Sequence, residues 1–250
     1  MRFLTRHGST VRLRSTATRL EVASRRVCGI LLNDGTRLTG DYYLSSLPPD
    51  ALLKLLPEEV VDGSGGFGSL RHFETSPITA IYLWFDRQVT QLKQVALLGR
   101  KIQWIFNKAS SADSSLGGED SYVGLVVSAS RKLLPLGPSA IVEMALDDLR
   151  EVLPSVREAA VLGSVVIKEP SATFSCRAGC DEIRPKQKSA LENFFISGDW
   201  TATGWPPTME GAVRSGYRCA ELILEREGHA SSILQPDLPT ARLSRWIGRF

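Results

Sequence analysis

The stretch Phe194–Tyr217, FFISGDWTATGWPPTMEGAVRSGY, brings together the residue types in this chain that could do chemistry as a set. Asp199 follows Gly198 at the carboxyl end of a short apolar run. A carboxylate there can accept hydrogen bonds from ligand hydroxyls, and a glycine lets a ligand approach the backbone closely. Pro206-Pro207 suits the start of a helix, where a missing N–H costs nothing. The amides near Thr208–Gly211 and the positive end of the helix dipole then favour negative charge. Gly211, Ala212, Ser215 and Gly216 leave a face open to another backbone or a flat ring. A plain strand–loop–helix packing unit accounts for the glycines. It does not account for Asp199, the Trp200/Trp205 loop and Thr208-Met209-Glu210-Gly211 occurring together.

Other chemistries are excluded by their missing residues. His7, His72 and His229 stand alone, with no His-Glu-x-x-His pair, so no catalytic metal is expected. The chain has neither a Gly-x-Ser-x-Gly nucleophile elbow nor a Gly-x-x-x-x-Gly-Lys-Ser/Thr phosphate loop. Gly63-Ser64-Gly65-Gly66-Phe67-Gly68 matches Gly-x-Gly-x-x-Gly by letter, but that mechanism needs a buried strand before the glycines and a helix after them. The preceding Pro57–Asp62 is short and acidic, and Ser69–Phe85 contains Pro77 and turns into a strand, so a flexible loop is expected. Cys28, Cys176, Cys180 and Cys219 form no Cys-x-x-Cys pair, which argues against a zinc knuckle or a disulfide framework.

The elements that must position the site follow from periodicity. Val11–Arg14, Arg19–Ala23, Val27–Leu32 and Arg37–Leu44 alternate as strands, with Asp34-Gly35 marking a hairpin turn. Pro48-Pro49 ends that unit, and Asp50 is placed to cap a short helix through Leu55. Ile78–Phe85, Val95–Leu98, Ile102–Phe106 and Tyr122–Ala129 predict an antiparallel sheet. Pro138–Val152 predicts a helix with Ile141, Ala145, Leu149 and Val152 on one stripe. Val161–Ile167 and Asn193–Ser197 read as strands, Ala172–Ile183 as irregular, and about Pro207 to Glu225 as a second long helix. The fold class expected is mixed α/β.

With 250 residues, 43% hydrophobic and 23% charged, the chain can build a real core and is not disordered. Its longest apolar runs are of strand length, and Met1–Thr10 lacks the apolar core of a signal peptide. A cytoplasmic protein is expected. The net charge of +3 hides seven arginines against one acid in residues 1–33. Alternation there favours a hairpin with arginines on its wet face. No aromatic stacking set accompanies them, so nucleic acid is not expected as a partner. Near the end, Leu243, Trp246, Ile247 and Phe250 fall at helical spacing with Arg242, Arg245 and Arg249 between them. A helix lying on the inner membrane face, a helix docked on the protein's own body and a frayed tail all fit this pattern.

The 194–217 stretch resembles the C-terminal flavin-binding motif of the amine-oxidase and carotenoid-desaturase superfamily: Gly-Asp, a variable loop, Glu-Gly-Ala, then Ser-Gly. In its fuller form, GDWTATGWPPTMEGAVRSG is similar to the squalene-associated FAD-dependent hydroxysqualene dehydroxylases of hopanoid synthesis. SPITAIYLWFDR (Ser76–Arg87) and QWIFNK (Gln103–Lys108) support that branch. The resemblance implies a partial FAD/NAD(P)-binding fold with an antiparallel-sheet substrate domain. Residues 1–49 and 191–228 would belong to the FAD domain, 50–190 to the substrate domain and 229–250 to a tail.

By the same resemblance, Gly198 and Asp199 would meet the ribityl-phosphate region of FAD. The amides of Thr208, Met209 and Glu210 would face the flavin's pyrimidine edge, and the backbone at Ala17, in LRSTATRL, would read the adenine. The implied reaction is reductive removal of a hydroxyl from hydroxysqualene, a long apolar isoprenoid, to give squalene. Carotenoid desaturation, amine oxidation and a catalytically silent half of a split enzyme are the alternatives. Tyr82, Trp84, Trp104 and Phe106 would line an apolar channel or simply fill the sheet core. No general acid is identified. The family's initial strand-Gly-x-Gly-x-x-Gly-helix unit has no counterpart, so a separate N-terminal FAD-binding half is an expected partner, and FAD binding by this chain alone is expected to be weak.

Overall fold

The computed structural model describes residues 2–63, 66–108, 121–239 and 246, and its chain divides into two compact units. One comprises residues 1–73 with 176–250, and the other residues 74–175. Residues 50–73 and 176–190, assigned by sequence to the substrate domain, cluster with the first unit.

The first unit begins with a short exposed helix, α1 (Arg2–Arg6), followed by an antiparallel meander of β1 (Ala17–Ala23), β2 (Arg26–Leu32) and β3 (Arg37–Leu38). The Asp34-Gly35 turn forms as its residues predict. Gly35 takes φ +82°, and the Asp34 carboxylate accepts the Thr36 amide at 2.8 Å, which holds that carboxyl below its ordinary range. The expected strand at Val11–Arg14 does not form. Arg14 adopts φ +55°, which breaks an extended run, and Val11 and Leu13 are exposed.

β4 (Tyr43–Ser45) leads into α2 (Pro49–Leu53). Pro48, not Asp50, occupies the cap position of α2, and no side chain caps it. α3 (Glu58–Asp62) precedes the Gly63–Gly68 string, of which residues 64–65 lie outside the described residues. A 3-10 turn at Phe67–His72 follows, then an 11-residue strand. A helix before the glycines and a strand after them is the reverse of the dinucleotide arrangement.

The second unit is an antiparallel five-stranded sheet of β5 (Thr75–Phe85), β6 (Gln94–Ala96), β7 (Trp104–Asn107), β8 (Ser121–Ser128) and β9 (Val161–Phe174), in the order β6-β7-β8-β5-β9. Helix α4 (Pro138–Val152) covers one face, with Ile141, Ala145 and Leu149 fully buried against Ile81, Leu83, Phe85, Val123 and Leu125. Each buried leucine, isoleucine, valine or phenylalanine among them contributes about 1.5–3 kcal/mol relative to exposure. Buried Asp148 is satisfied by the Ile102 amide at 2.8 Å.

Back in the first unit, α5 (Cys180–Ile183) precedes β10 (Phe194–Ile196), which pairs in parallel with β4 across about 150 residues of sequence, a spacing no local pattern encodes. Helix α6 (Met209–Arg226) follows. Asn193, 2% exposed, fastens these pieces. Its side-chain oxygen accepts the Val27 amide at 2.8 Å, and its Nδ2 donates to the carbonyls of Val27 at 2.9 Å and Asp41 at 3.2 Å. Its own carbonyl accepts the Tyr43 amide at 2.9 Å. Asn193→Ala leaves buried backbone groups of Val27 without partners, so it should destabilise the chain by roughly 2–3 kcal/mol. A urea unfolding midpoint shifted to match checks this, and an unchanged midpoint would refute the clamp.

Candidate functional site

The strand–loop–helix segment is built around a glycine that must be a glycine. Gly198 sits at φ +137°, and a Cβ there would lie 2.5 Å from the indole nitrogen of Trp200. Its amide donates to Ser215 Oγ at 2.8 Å, and Ser215, fully buried, donates onward to the Ala212 carbonyl at 2.6 Å. These two bonds tie the end of β10 to the first turns of α6. The Trp200 indole N–H reaches the Leu47 carbonyl at 3.1 Å, and its ring packs edge-on against Phe73 at 5.8 Å. Trp200 is therefore a structural anchor of the loop.

The loop after Asp199 is gripped from behind by Arg184, a residue with no signal in the sequence pattern. Its guanidinium donates to the carbonyls of Asp199 at 2.9 Å and Thr201 at 2.6 Å and to Thr203 Oγ1 at 3.3 Å, while Asp181 pairs with its other end at 2.8 Å. Gln187 adds bonds to Thr201 Oγ1 at 2.9 Å and the Ala202 carbonyl at 3.2 Å. A planar fork of donors suits this divergent set of acceptors as a lysine could not.

Helix α6 starts at Met209, so the tandem prolines lie before the cap and not in the first turn. Thr208 is the N-cap, and its Oγ1 accepts the Gly211 amide at 3.1 Å. Gly211 is confined by the Pro206 carbonyl, 3.1 Å from where its Cβ would stand. The amides of Met209 and Glu210, in the first turn, have no acceptor within the helix by its geometry. Met209 is 88% exposed, so its side chain stands open at the helix start. Arg214, buried one turn on, meets the Glu210 carboxylate at 3.5 Å and stacks over Trp205 at 5.7 Å.

The segment after α6 doubles back along the helix. Glu221 Oε1 accepts the amides of Ile233 at 2.8 Å and Leu234 at 2.9 Å, and Asp237 takes the Trp205 indole N–H at 3.0 Å and faces Arg214 at 3.3 Å. Leu243, Ile247 and Phe250, with Arg242, Arg245 and Arg249, lie outside the described residues, and Trp246 is exposed. No described helix is long and apolar enough to cross a membrane. No group of three or more metal-ligating side chains occurs among the described residues.

Gly198, Asp199, Thr208, Met209 and Glu210 thus share one hydrogen-bonded segment. Ala17 opens β1, opposite Leu32, in a different sheet, which Asn193, Glu192 and Arg25 help to tie to the residues before β10. A cleft of about 780 Å³ lined by Lys186, Lys188, Ala202, Arg218, Glu221 and Glu225 shares only Ala202 with the Gly198–Gly211 run. It is not the site the motif builds. Sequence reasoning missed Arg184, Gln187 and Asn193, which act through backbone groups and leave no periodic trace.

Comparison with known proteins places the chain in a family. The family model described as "Flavin containing amine oxidoreductase" matches residues 2–224. A 15-cis-phytoene desaturase from an Oncidium hybrid cultivar is 29% identical over 226 residues, covering 87% of this chain and 39% of that protein. A zeta-carotene desaturase from Synechocystis sp. is 25% identical, covering 90% of this chain and 50% of that protein. The chain therefore spans between about two fifths and one half of the length of these relatives. Among solved structures, an oxidoreductase from Methanosarcina mazei superposes with a TM-score of 0.65 at 16% identity, over 83% of this chain and 49% of that one. A putrescine oxidase triple mutant superposes with a TM-score of 0.60 at 13% identity, over 85% and 48%. These two establish likeness of fold.

Buried Cys219 of α6, bonded to the Ile196 carbonyl at 3.3 Å, has its thiol pushed up to about 12 by burial, from 9.0. Its contribution to stability is complete below about pH 9, where the unfolded thiol is still protonated, and is lost as pH rises toward about 12. Cys219→Ala should flatten that alkaline decline in denaturant midpoints. An unchanged slope would remove Cys219 as its cause.

Proposed function

Because the chain belongs to the flavin containing amine oxidoreductase family, we propose that it forms the substrate sheet and one cofactor-binding segment of an FAD-dependent oxidoreductase acting on a long isoprenoid. The observation that carries the substrate class is the sheet face opposite α4. Register puts Trp104 and Phe106 of β7, Tyr122 of β8, Tyr82 and Trp84 of β5, and Val165 and Ile167 of β9 on that one face. Trp84 stacks on Tyr122 at 4.7 Å and Trp104 on Phe106 at 6.0 Å. Gly124 lies under the Tyr82 ring, where a Cβ would press to 3.3 Å. These aromatics sit outside the buried core cluster, which occupies the other face, and Trp104, Val165 and Ile167 are exposed. A broad apolar surface of this kind suits a hydrocarbon chain without polar handles.

The residues on the first unit fit a flavin. The Met209 and Glu210 amides and the dipole of α6 favour negative charge by about 0.3–1 kcal/mol at this exposed helix start. Gly198, whose missing Cβ makes way for the Trp200 indole, leads directly into Asp199, whose carboxylate would meet the ribityl-phosphate region, and Ala17 would contact the adenine. When bound, FAD supplies hydride transfer. Arg184 and Ser215 hold the loop that orients these groups. Reduction of hydroxysqualene to squalene is the leading reaction. Desaturation of a carotenoid precursor is the second reading, favoured by the names of the relatives. A pyrophosphate cradle is the remaining requirement, and the Gly63–Gly68 string lacks the strand–helix setting for it. We assign that role to a separate nucleotide-binding half, and a peripheral membrane role to residues 242–250.

Purified alone, the chain should carry little flavin, and co-expression with a family nucleotide-binding half should restore the yellow cofactor. Stoichiometric flavin on the chain alone would overturn the divided cradle. In the reconstituted protein, product analysis with hydroxysqualene and phytoene separates the two reactions, and turnover of neither would reject the isoprenoid reading. Trp104→Ala should raise KM for the active isoprenoid about tenfold with little change in kcat, since it removes binding surface common to ground and transition states.

A further inference from the structure

The segment joining β9 to α5 holds two free cysteines in contact. Cys176 Sγ and Cys180 Sγ are 3.8 Å apart, Cys176 is exposed and Cys180 half-buried. Four-residue spacing across an ordinary extended loop would hold such side chains apart. Here Gly179, at φ +82°, turns the chain, and the Cys180 amide closes on the Arg177 carbonyl at 3.0 Å. A disulfide needs about 2.05 Å between the sulfurs, so the pair stands less than about 2 Å from bonding distance. Cys28, exposed on β2, and Cys219, buried in α6, lie on other elements.

The residues next along the chain give this pair its reach. Cys180 begins α5, and its neighbour Asp181 pairs with Arg184 at 2.8 Å. Arg184 in turn holds the carbonyls of Asp199 and Thr201 and the hydroxyl of Thr203. We propose that Cys176 and Cys180 form a redox-modified dithiol site whose co-substrate is a low-molecular-weight disulfide of the glutathione type, and that its closure acts on the Asp199–Thr203 loop through Asp181 and Arg184.

The exposed Cys176 thiolate attacks a sulfur of the small disulfide, breaking its S–S bond, forming a mixed disulfide and releasing one thiol. Cys180 then gives up its proton and displaces the second small thiol, so the Cys176–Cys180 bond forms. The protein loses two electrons and two protons, and the small disulfide gains both as two thiols. Burial, and then the bond to Cys176, raise the Cys180 thiol above its ordinary range, which makes Cys176 the first nucleophile.

The test equilibrates the 250-residue chain in glutathione buffers of increasing oxidised fraction, traps it with an alkylating agent and maps its peptides. The thiol count of the denatured protein should fall from four to two, with a single link between Cys176 and Cys180. Cys176→Ser and Cys180→Ser should each give a glutathione adduct on the remaining partner. Stable glutathione adducts on both cysteines of the unaltered chain, with no link between them, would overturn the site. Amide exchange of residues 198–211 reads the coupling. Oxidation should speed it about tenfold, the worth of one charge-assisted hydrogen bond. Asp181→Asn, a change at an exposed carboxylate, should remove that difference while the link still forms. Equal exchange in the linked and reduced chains would overturn the coupling.

Discussion

The first unit depends on one buried amide. β10 is three residues long and pairs with a three-residue strand about 150 positions earlier, which gives too few ladder bonds to fix their register alone. Asn193 supplies what the ladder lacks. It donates to two carbonyls, accepts one amide on its side chain and another on its backbone, and so locks β10 to β2 and to the start of β4 at once. Asparagine is suited to this because its amide carries donors and an acceptor in one plane and stays uncharged when buried. Everything downstream, from Gly198 to the cap of α6, takes its position from the end of that strand.

The loop beyond the strand follows the same logic with a charged group. Arg184 is buried and supports its charge with Asp181 and three oxygen acceptors. A buried guanidinium is costly unless it is paired in this way, so the loop and the arginine hold each other in place. The carbonyls of the motif thus turn inward to a fixed cation, while Met209 at the helix start is left open to solvent. The same arginine joins the dithiol segment to the motif, so a change at Cys180 has a short path to Asp199.

In the second unit the organising fact is the two-residue period of the strands. α4 claims one face with Ile141, Ala145 and Leu149, and the register then delivers every aromatic of β5, β7 and β8 from Tyr82 to Tyr122 to the other face, apart from Phe85. Sequence alone left Tyr82, Trp84, Trp104 and Phe106 divided between core and channel, because a strand with apolar residues at every position has no polar side to orient it. The covering helix decides only which face is core, and these four residues lie on the other. Gly124 makes room for the Tyr82 ring on that face, a role invisible until the strands are paired.

Features set by near neighbours along the chain are legible in the amino-acid order alone: the Asp34-Gly35 turn, the apolar stripe of α4, the alternation of the sheet strands, the approximate span of α6 and the Gly-Asp–loop–Glu-Gly signature of the family. Each rests on residues close along the chain, whose backbone preferences and spacing act without distant partners. The same order misleads at Val11–Arg14, since alternation there meets no neighbouring strand to pair with. The placement of Asp50 and Pro207 as helix starters was also misjudged, because cap positions shift by a residue or two with the packing around them. Long-range packing fixes which side of the sheet is core, that β4 and β10 are partners, that Asn193 and Arg184 hold the motif, and that Cys176 and Cys180 touch. Those outcomes are contacts between residues whose types carry no periodic signal, and a hydrogen bond to a backbone carbonyl leaves no mark on the sequence that accepts it.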